Sequence, residues 1–206
     1  MDGTLMDSGE AHFVSWKAAF EANGHPFTRE HWNVLFGRTA NDFFDLVMPG
    51  STSTERAAVL AEKSRLFLGD AVRSVQLCPG VRDLFAVFAE QGIAPYVVSS
   101  SSKANVEAML HMHGLDLPSV HAADVKHGKP APDMFLLALE RARDEGNDGR
   151  ALVLEDSLSG VRAGVAAGLD TYGVLTGGFP EQELVAAGAR QVFPDAGGLA
   201  QALQRG

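Results

Sequence analysis

A doubly wound α/β domain with a helical insertion is the fold class that this sequence predicts, and three observations predict it. From Leu77 onward, short apolar runs and helical stretches alternate six times, the pattern of a parallel sheet with helices on its faces. Before Leu77 no strand pattern appears, and residues 9–74 read as helix throughout. Polar residues then gather where the apolar runs stop, which in an open α/β sheet is the ligand-binding edge. The expected division is a discontinuous core of residues 1–8 and 75–206, with 9–74 as an inserted helical cap.

The 206 residues suffice for one substantial core and a small second module. The net charge of −9, without a basic block, argues against nucleic acid or an anionic membrane as partner. A single cysteine, Cys78, excludes an internal disulfide and fits a reducing compartment. No apolar run approaches the length of a membrane span, and no signal-peptide pattern is visible. The expectation is a cytoplasmic monomer with no membrane contact.

The elements follow in order. Asp2-Gly3-Thr4-Leu5 reads as a sharp turn, with Gly3 supplying backbone freedom and Thr4 a hydroxyl for neighbouring backbone. Glu10 to about Asn23 is a helix whose apolar face carries Phe13, Trp16 and Phe20, and Asn23-Gly24 stops it. Helices are expected near 29–36, 40–47 and 54–72, separated by Gly37, Pro49-Gly50 and a Ser/Thr cluster. Pro79-Gly80 opens a helix to Gln91. Strands are expected at 93–98, 120–122, 151–154, 171–175 and 191–193, with helices at 103–113, 132–143, 158–167, near 181–187 and to Gln204. Gly160, Gly164 and Gly168 recur every fourth residue on one helix face, which reads as close packing on the sheet.

The chemistry gathers on four loops. Asp2 lies at the first turn, Ser99 and Ser100 end one strand, Lys129 sits in a later connection, and Leu152-Val153-Leu154 runs straight into Glu155-Asp156-Ser157. Adjacent carboxylates with a third nearby offer the hard oxygen ligands that Mg²⁺ takes. Lys129 would meet charge on a transferring phosphoryl group, and Ser99 with a helix N-terminus behind it would hold phosphate oxygens. Each has a plainer reading when taken alone: acidic helix capping, a serine cap, a solvated lysine. Their convergence on one sheet edge favours the chemical reading.

Asp2-Gly3-Thr4-Leu5-Met6-Asp7-Ser8, Val97-Val98-Ser99-Ser100-Ser101, Lys129-Pro130-Ala131-Pro132-Asp133 and Leu154-Glu155-Asp156-Ser157 together resemble, in order, the four motifs of the haloacid dehalogenase-like phosphohydrolases with a helical cap. The resemblance implies Mg²⁺ held by Asp156, with Glu155 nearby, and by the backbone carbonyl of Asp2. It implies that Asp2 acts as general acid and base around an aspartyl-phosphate. Ser99 is preferred over Ser100 for the phosphate contact. The family's first motif opens with the nucleophilic aspartate two places before the residue that Asp2 matches. The resemblance therefore implies a short apolar strand ending in that aspartate directly before Met1.

Within the family, Glu10-Ala11-His12-Phe13 through Trp16-Lys17 is similar to the opening cap helix of β-phosphoglucomutases. His12 is then a hinge or substrate-orienting group, against a structural histidine. Arg38 lies near, though not on, the place of the mutases' distal phosphate-binding arginine, and is either its substitute in substrate selection or an exposed cap residue. That departure favours a phosphatase acting on a small phosphorylated metabolite, such as a sugar phosphate. A β-phosphoglucomutase-like isomerase and a non-catalytic phosphate-binding module are the alternatives.

Overall fold

The computed structural model describes residues 1–35 and 40–205. The chain divides into two compact units: Met1–Asp7 with Gln76–Gly206, and Ser8–Val75.

The second of these is helical: α1 (Gly9–Ala22), α2 (Arg29–Leu35), α3 (Ala40–Val47), α4 (Ser53–Gly69) and a 3-10 turn at Ala71–Ser74. The sequence pattern predicts the last long helix on to Val72; the α-helix instead ends at Gly69 and tightens into that turn, as helix ends commonly do. Thr52 and Glu55 start α4 by reciprocal capping, the Glu55 carboxylate taking the Thr52 N–H at 2.7 Å and the Thr52 hydroxyl taking the Glu55 N–H. Aromatic rings fill the interior. Trp16 stacks on Phe20 and Phe43 at 5.4 and 4.9 Å, and Phe20 stacks on Phe27 at 5.2 Å. Such ring pairs are worth about 0.5–1.5 kcal/mol beyond their area, so this small unit has a specific core as well as an apolar one.

The other unit carries the sheet elements. β1 (Met6–Asp7) pairs antiparallel with β2 (Gln76–Leu77), Met6 opposite Leu77 and Asp7 opposite Gln76. Two-residue strands have no period to read, which is why the sequence shows no strand before Leu77. Then come α5 (Val81–Gln91), β3 (Val97–Ser99), α6 (Lys103–Met112), β4 (Ser119–His121), α7 (Asp133–Asp144), β5 (Leu152–Glu155), α8 (Leu158–Ala166), β6 (Asp170–Val174), α9 (Glu181–Ala186), β7 (Val192–Phe193) and α10 (Ala196–Arg205). Gly80 and Gly92, both left-handed with φ of 74° and 66°, bracket α5. The apolar run at 93–98 yields pairing only from Val97, since Pro95 has no N–H to donate.

All pairs among β3 to β7 are parallel: β3 with β4, β5 with β6, and β6 with β7. The order is therefore β3-β4 and β5-β6-β7, and no described strand joins β3 to β5. Helices α5 and α10 cover one apolar layer with Val81, Leu84, Leu199 and Ala200, against Val174 and Phe193 of the sheet. Phe135 of α7 and Ala163 of α8 pack on Val153 of β5. The alternation thus delivers the α/β core expected, with its strand ends pointing one way.

Candidate active site

The site is built from the first turn and the C-terminal ends of β3 and β5. In the turn, the Met1 carbonyl accepts the N–H groups of Thr4, Leu5 and Met6 at 3.1, 2.8 and 3.0 Å, and the Gly3 N–H returns to the Met6 carbonyl at 2.8 Å. Gly3 adopts φ of +75°, and a Cβ there would lie 2.2 Å from Asp156 Oδ2. Gly177 is as close: its Cβ would lie 2.0 Å from the same oxygen. The Thr176 hydroxyl donates to the Gly3 carbonyl, binding the two glycine segments together. Asp156 thus sits in a glycine-lined cradle only 6% exposed, its Oδ1 accepting from the Thr4 hydroxyl at 2.7 Å.

Glu155 is 3% exposed and differently engaged. Its Oε1 pairs with the Lys129 ammonium, and its Oε2 accepts from the Ser157 hydroxyl at 3.1 Å. Gly160 makes room for it, since a Cβ there would stand 2.0 Å from the carboxylate carbon. The same Ser157 hydroxyl accepts the Gly160 N–H at 3.0 Å and so caps α8. Lys129 also donates to the Val98 carbonyl at 3.2 Å, which ties the ends of β3 and β5 to one cation.

Asp2 faces the serine run. Ser101 donates to Asp2 Oδ2 at 2.9 Å and Ser99 at 3.3 Å, while Ser100 is exposed. Ser99 and Ser101 alternate about the strand end, so they reach one carboxylate and the residue between them turns away.

The two adjacent acids differ in charge state. Burial pushes Glu155 up, but the Lys129 ammonium, the Met1 amino group and the Ser157 hydroxyl outweigh it and hold it below the ordinary range. Asp156 is pushed up to about 6 by burial and by the Glu155 carboxylate beside it. Asp156 is therefore the acid whose charge is under-compensated.

Among the described residues no three His, Cys, Asp or Glu side chains are disposed to enclose a metal. Mg²⁺ does not need such a cage, because it keeps waters and substrate oxygens and uses one or two carboxylates. The under-compensated charge of Asp156 fits a divalent cation, whereas Glu155 is already matched by Lys129.

The helical unit holds its own polar pair. Lys63 Nζ lies 3.0 Å from His12 Nδ1, His12 stacks on Phe67 at 4.5 Å, and Lys63 is 7% exposed. Arg38 lies outside the described residues. The sequence reading missed Lys63, yet Val59, Lys63 and Phe67 share one helical stripe, and a lysine in an apolar stripe was the available signal. Ser101 carries no separate signal within the serine run, and Thr4, expected to serve neighbouring backbone, bonds Asp156 instead. Of the three spaced glycines, Gly164 packs on Thr171 and Val153 of the sheet, Gly160 on Glu155, and Gly168 ends the helix at φ of +75° with open space around it.

Residues 1–168 match the family model described as haloacid dehalogenase-like hydrolase. The chain is similar to a phosphorylated carbohydrates phosphatase of Thermotoga maritima, 30% identical over 92% of this chain and 89% of that protein. It is likewise similar to the fructose-1-phosphate phosphatase YqaB of Escherichia coli, 31% identical over 84% of this chain and 93% of that one. Among solved structures, a putative β-phosphoglucomutase from Bacteroides vulgatus matches with a TM-score of 0.79 and 30% identity, covering 100% of this chain and 86% of the other.

Proposed function

From the premise that the chain belongs to the haloacid dehalogenase-like hydrolases, with phosphatases among its relatives, we propose that it is a Mg²⁺-dependent phosphohydrolase of a small phosphorylated carbohydrate, acting as a cytoplasmic monomer. The observation that carries this reading is the meeting of Asp2, Lys129 and Asp156 around the ends of β3 and β5. Ser99 and Ser101 hold the Asp2 carboxylate where it can give a proton to a leaving oxygen and later take one from water. Lys129, fixed by Glu155 and the Val98 carbonyl, presents positive charge to the transferring phosphoryl group. Asp156 and the Asp2 carbonyl would hold Mg²⁺, which when bound offsets the repulsion between an anionic nucleophile and phosphate. The covalent route needs a carboxylate nucleophile, and the family's first motif carries its own two places before the position that Asp2 matches. Substrate selection is assigned to His12 and Arg38.

The test is phosphate release from a panel of sugar phosphates and from p-nitrophenyl phosphate, by the chain extended with a strand that ends in aspartate before Met1. Turnover should need Mg²⁺, stop with EDTA, and be lost in Asp156→Ala. Activity surviving that change within tenfold, about 1.4 kcal/mol in barrier, would remove Asp156 from the role of ligand. The likeness to a putative β-phosphoglucomutase favours one second reading, an isomerase. Interconversion of sugar phosphate isomers without net phosphate release would establish it instead.

A further inference from the structure

The connection from β4 to α7 carries Lys129, and its root is tied down by side chains outside the candidate site. Ser119 and His121 project to one face of β4, and the Ser119 hydroxyl lies 3.1 Å from His121 Nε2. Just beyond the strand, the Asp124 carboxylate folds back. Its Oδ2 accepts the His121 backbone N–H at 3.2 Å and stands 3.4 Å from His121 Nδ1. Arg141 of α7 reaches the same oxygen at 3.3 Å and donates to the Ser119 carbonyl at 3.1 Å. His121 is buried, so this knot is fastened to the sheet itself. The His121 N–H first, and then the Arg141 guanidinium, outweigh the cost of burial and hold the Asp124 carboxyl below its usual range.

The root of the connection and the destination of its ammonium are neighbours. In the β3–β4 ladder Val98 is opposite Val120 and Ser99 is opposite His121. Lys129 Nζ returns to that Val98 carbonyl at 3.2 Å and to Glu155. The chain thus leaves β4 and comes back over the adjoining strand, about 4.8 Å away. In between, Val125 packs with Val120 and Met134, whereas Lys126, His127 and Gly128 are exposed. An exposed stretch has little to set its own course, so its ends set it. A second tie joins His127 Nδ1 to Asp133 Oδ1 at 3.0 Å, but the His127 side chain is 61% exposed, and exposed pairs contribute little. The inner knot therefore decides where Lys129 starts from.

We propose that Asp124 is a positioning residue for Lys129: clasped by His121 and Arg141, it fixes the root of the connection, and with it the line along which the ammonium reaches the Val98 carbonyl and Glu155. Lysine's flexible stem gives the ammonium no fixed direction of its own. A root displaced by about 1 Å would put the Val98 carbonyl beyond hydrogen-bond range. The placement of Lys129 needs nothing from the proposed reaction; only its catalytic consequence rests on the phosphohydrolase reading.

The test reads Lys129 directly, by the rate at which an N-hydroxysuccinimide ester of acetate acylates each lysine of the full chain, followed by mass spectrometry. The free amine attacks the ester carbonyl and N-hydroxysuccinimide leaves, so a buried, paired ammonium reacts only when its surroundings open. Asp124→Ala should speed Lys129 by about tenfold or more. Lys103, which is exposed, and Lys63, which is buried in the helical unit, should not change. Asp124→Asn keeps an acceptor for the His121 N–H and Arg141, and it should stay within about threefold of the parent, as should His127→Ala. An unchanged Lys129 in Asp124→Ala would overturn the proposal, and so would a rise at Lys63 in step with it, which marks general loosening. Equal speeding in His127→Ala would place control at the outer pair and overturn the assignment to Asp124. Should Asp124→Ala not fold, Arg141→Gln loosens the same oxygen from the helix side, and an unmoved Lys129 there decides equally against the proposal. In a chain that releases phosphate, Asp124→Ala should lower kcat by about tenfold or more with KM little changed. Faster labelling beside an unmoved kcat would leave Lys129 placed by Asp124 and remove Lys129 from the reaction.

Discussion

The Thr4 hydroxyl donates to Asp156 Oδ1 at 2.7 Å across 152 residues of sequence. It locks the first turn of the chain to the end of β5, and both residues are buried. Thr4→Val keeps the shape and removes the donor, leaving a buried carboxylate oxygen short of a partner. Urea denaturation should show a loss of about 1–3 kcal/mol; an unchanged midpoint would mean that the turn is held by its backbone bonds alone.

Lys129 and Glu155 form a buried pair, so removing one partner strands the other's charge. Lys129→Met should destabilise by about 3–5 kcal/mol. Lys129→Met combined with Glu155→Gln should recover much of that loss, and a double-mutant cycle reads the coupling directly. Additive losses would show that the two charges are held by other groups.

Asp156 gives stability a definite pH dependence. Its carboxyl is raised from 3.8 to about 6 in the folded protein. Between those values the folded state keeps a proton that the unfolded chain has released, so this group's contribution falls as pH rises through the window. Glu155, shifted the other way, acts oppositely, so the informative quantity is a difference between proteins. In metal-free buffer Asp156→Asn should be more stable than its parent by about 1–3 kcal/mol at pH 7 and equal to it near pH 4. Mg²⁺ should raise the melting temperature of the parent at pH 7 and leave Asp156→Asn unmoved. A pH-independent difference would place the Asp156 pKa at its ordinary value.

Gly160→Ala puts a methyl group into the Glu155 carboxylate, and the loss should be about 1–3 kcal/mol or more. Gly128 has open space and an ordinary backbone, so Gly128→Ala should be neutral or gain about 0.4–1 kcal/mol. Thermal melts of the pair separate close approach from any general need for glycine.

Cys78 is 4% exposed, and burial together with the Asp7 and Asp156 carboxylates pushes its thiol up to about 12. The native protein should therefore resist iodoacetamide at pH 8 and react fully in urea, as mass spectrometry would show. Fast native labelling would mean that the segment around Cys78 opens readily.

Local pattern carried the elements and stopped at the contacts. α3 lies at 40–47 as its apolar spacing predicts, and β5 runs into Glu155 as expected, because period and punctuation are local properties. The tie from Thr4 to Asp156 is not local: the hydroxyl looked free to serve its own turn until the fold brought β5 beside it. Glu155 and Asp156 read as a matched pair in sequence, yet one faces Lys129 and the other Thr4, since successive residues at a strand end point to opposite sides. Gly160 looked like one of three equal glycines because spacing reports a face and not what that face meets.

The short antiparallel pair β1–β2 has a consequence for how the chain can be rearranged. Asp7 and Gln76 are cross-strand partners, so the helical unit departs and returns at backbone positions one strand spacing apart, about 5 Å. In connectivity it is an enlarged hairpin loop, and closing a longer loop costs only about 0.6 kcal/mol per doubling of length. The register of Met6 with Leu77 is set on the sheet side of the junction. In connectivity the insertion is therefore a replaceable cassette: a tight turn, or another folded segment with adjoining ends, spliced between Asp7 and Gln76 should leave the pairing of Met6 with Leu77 in register.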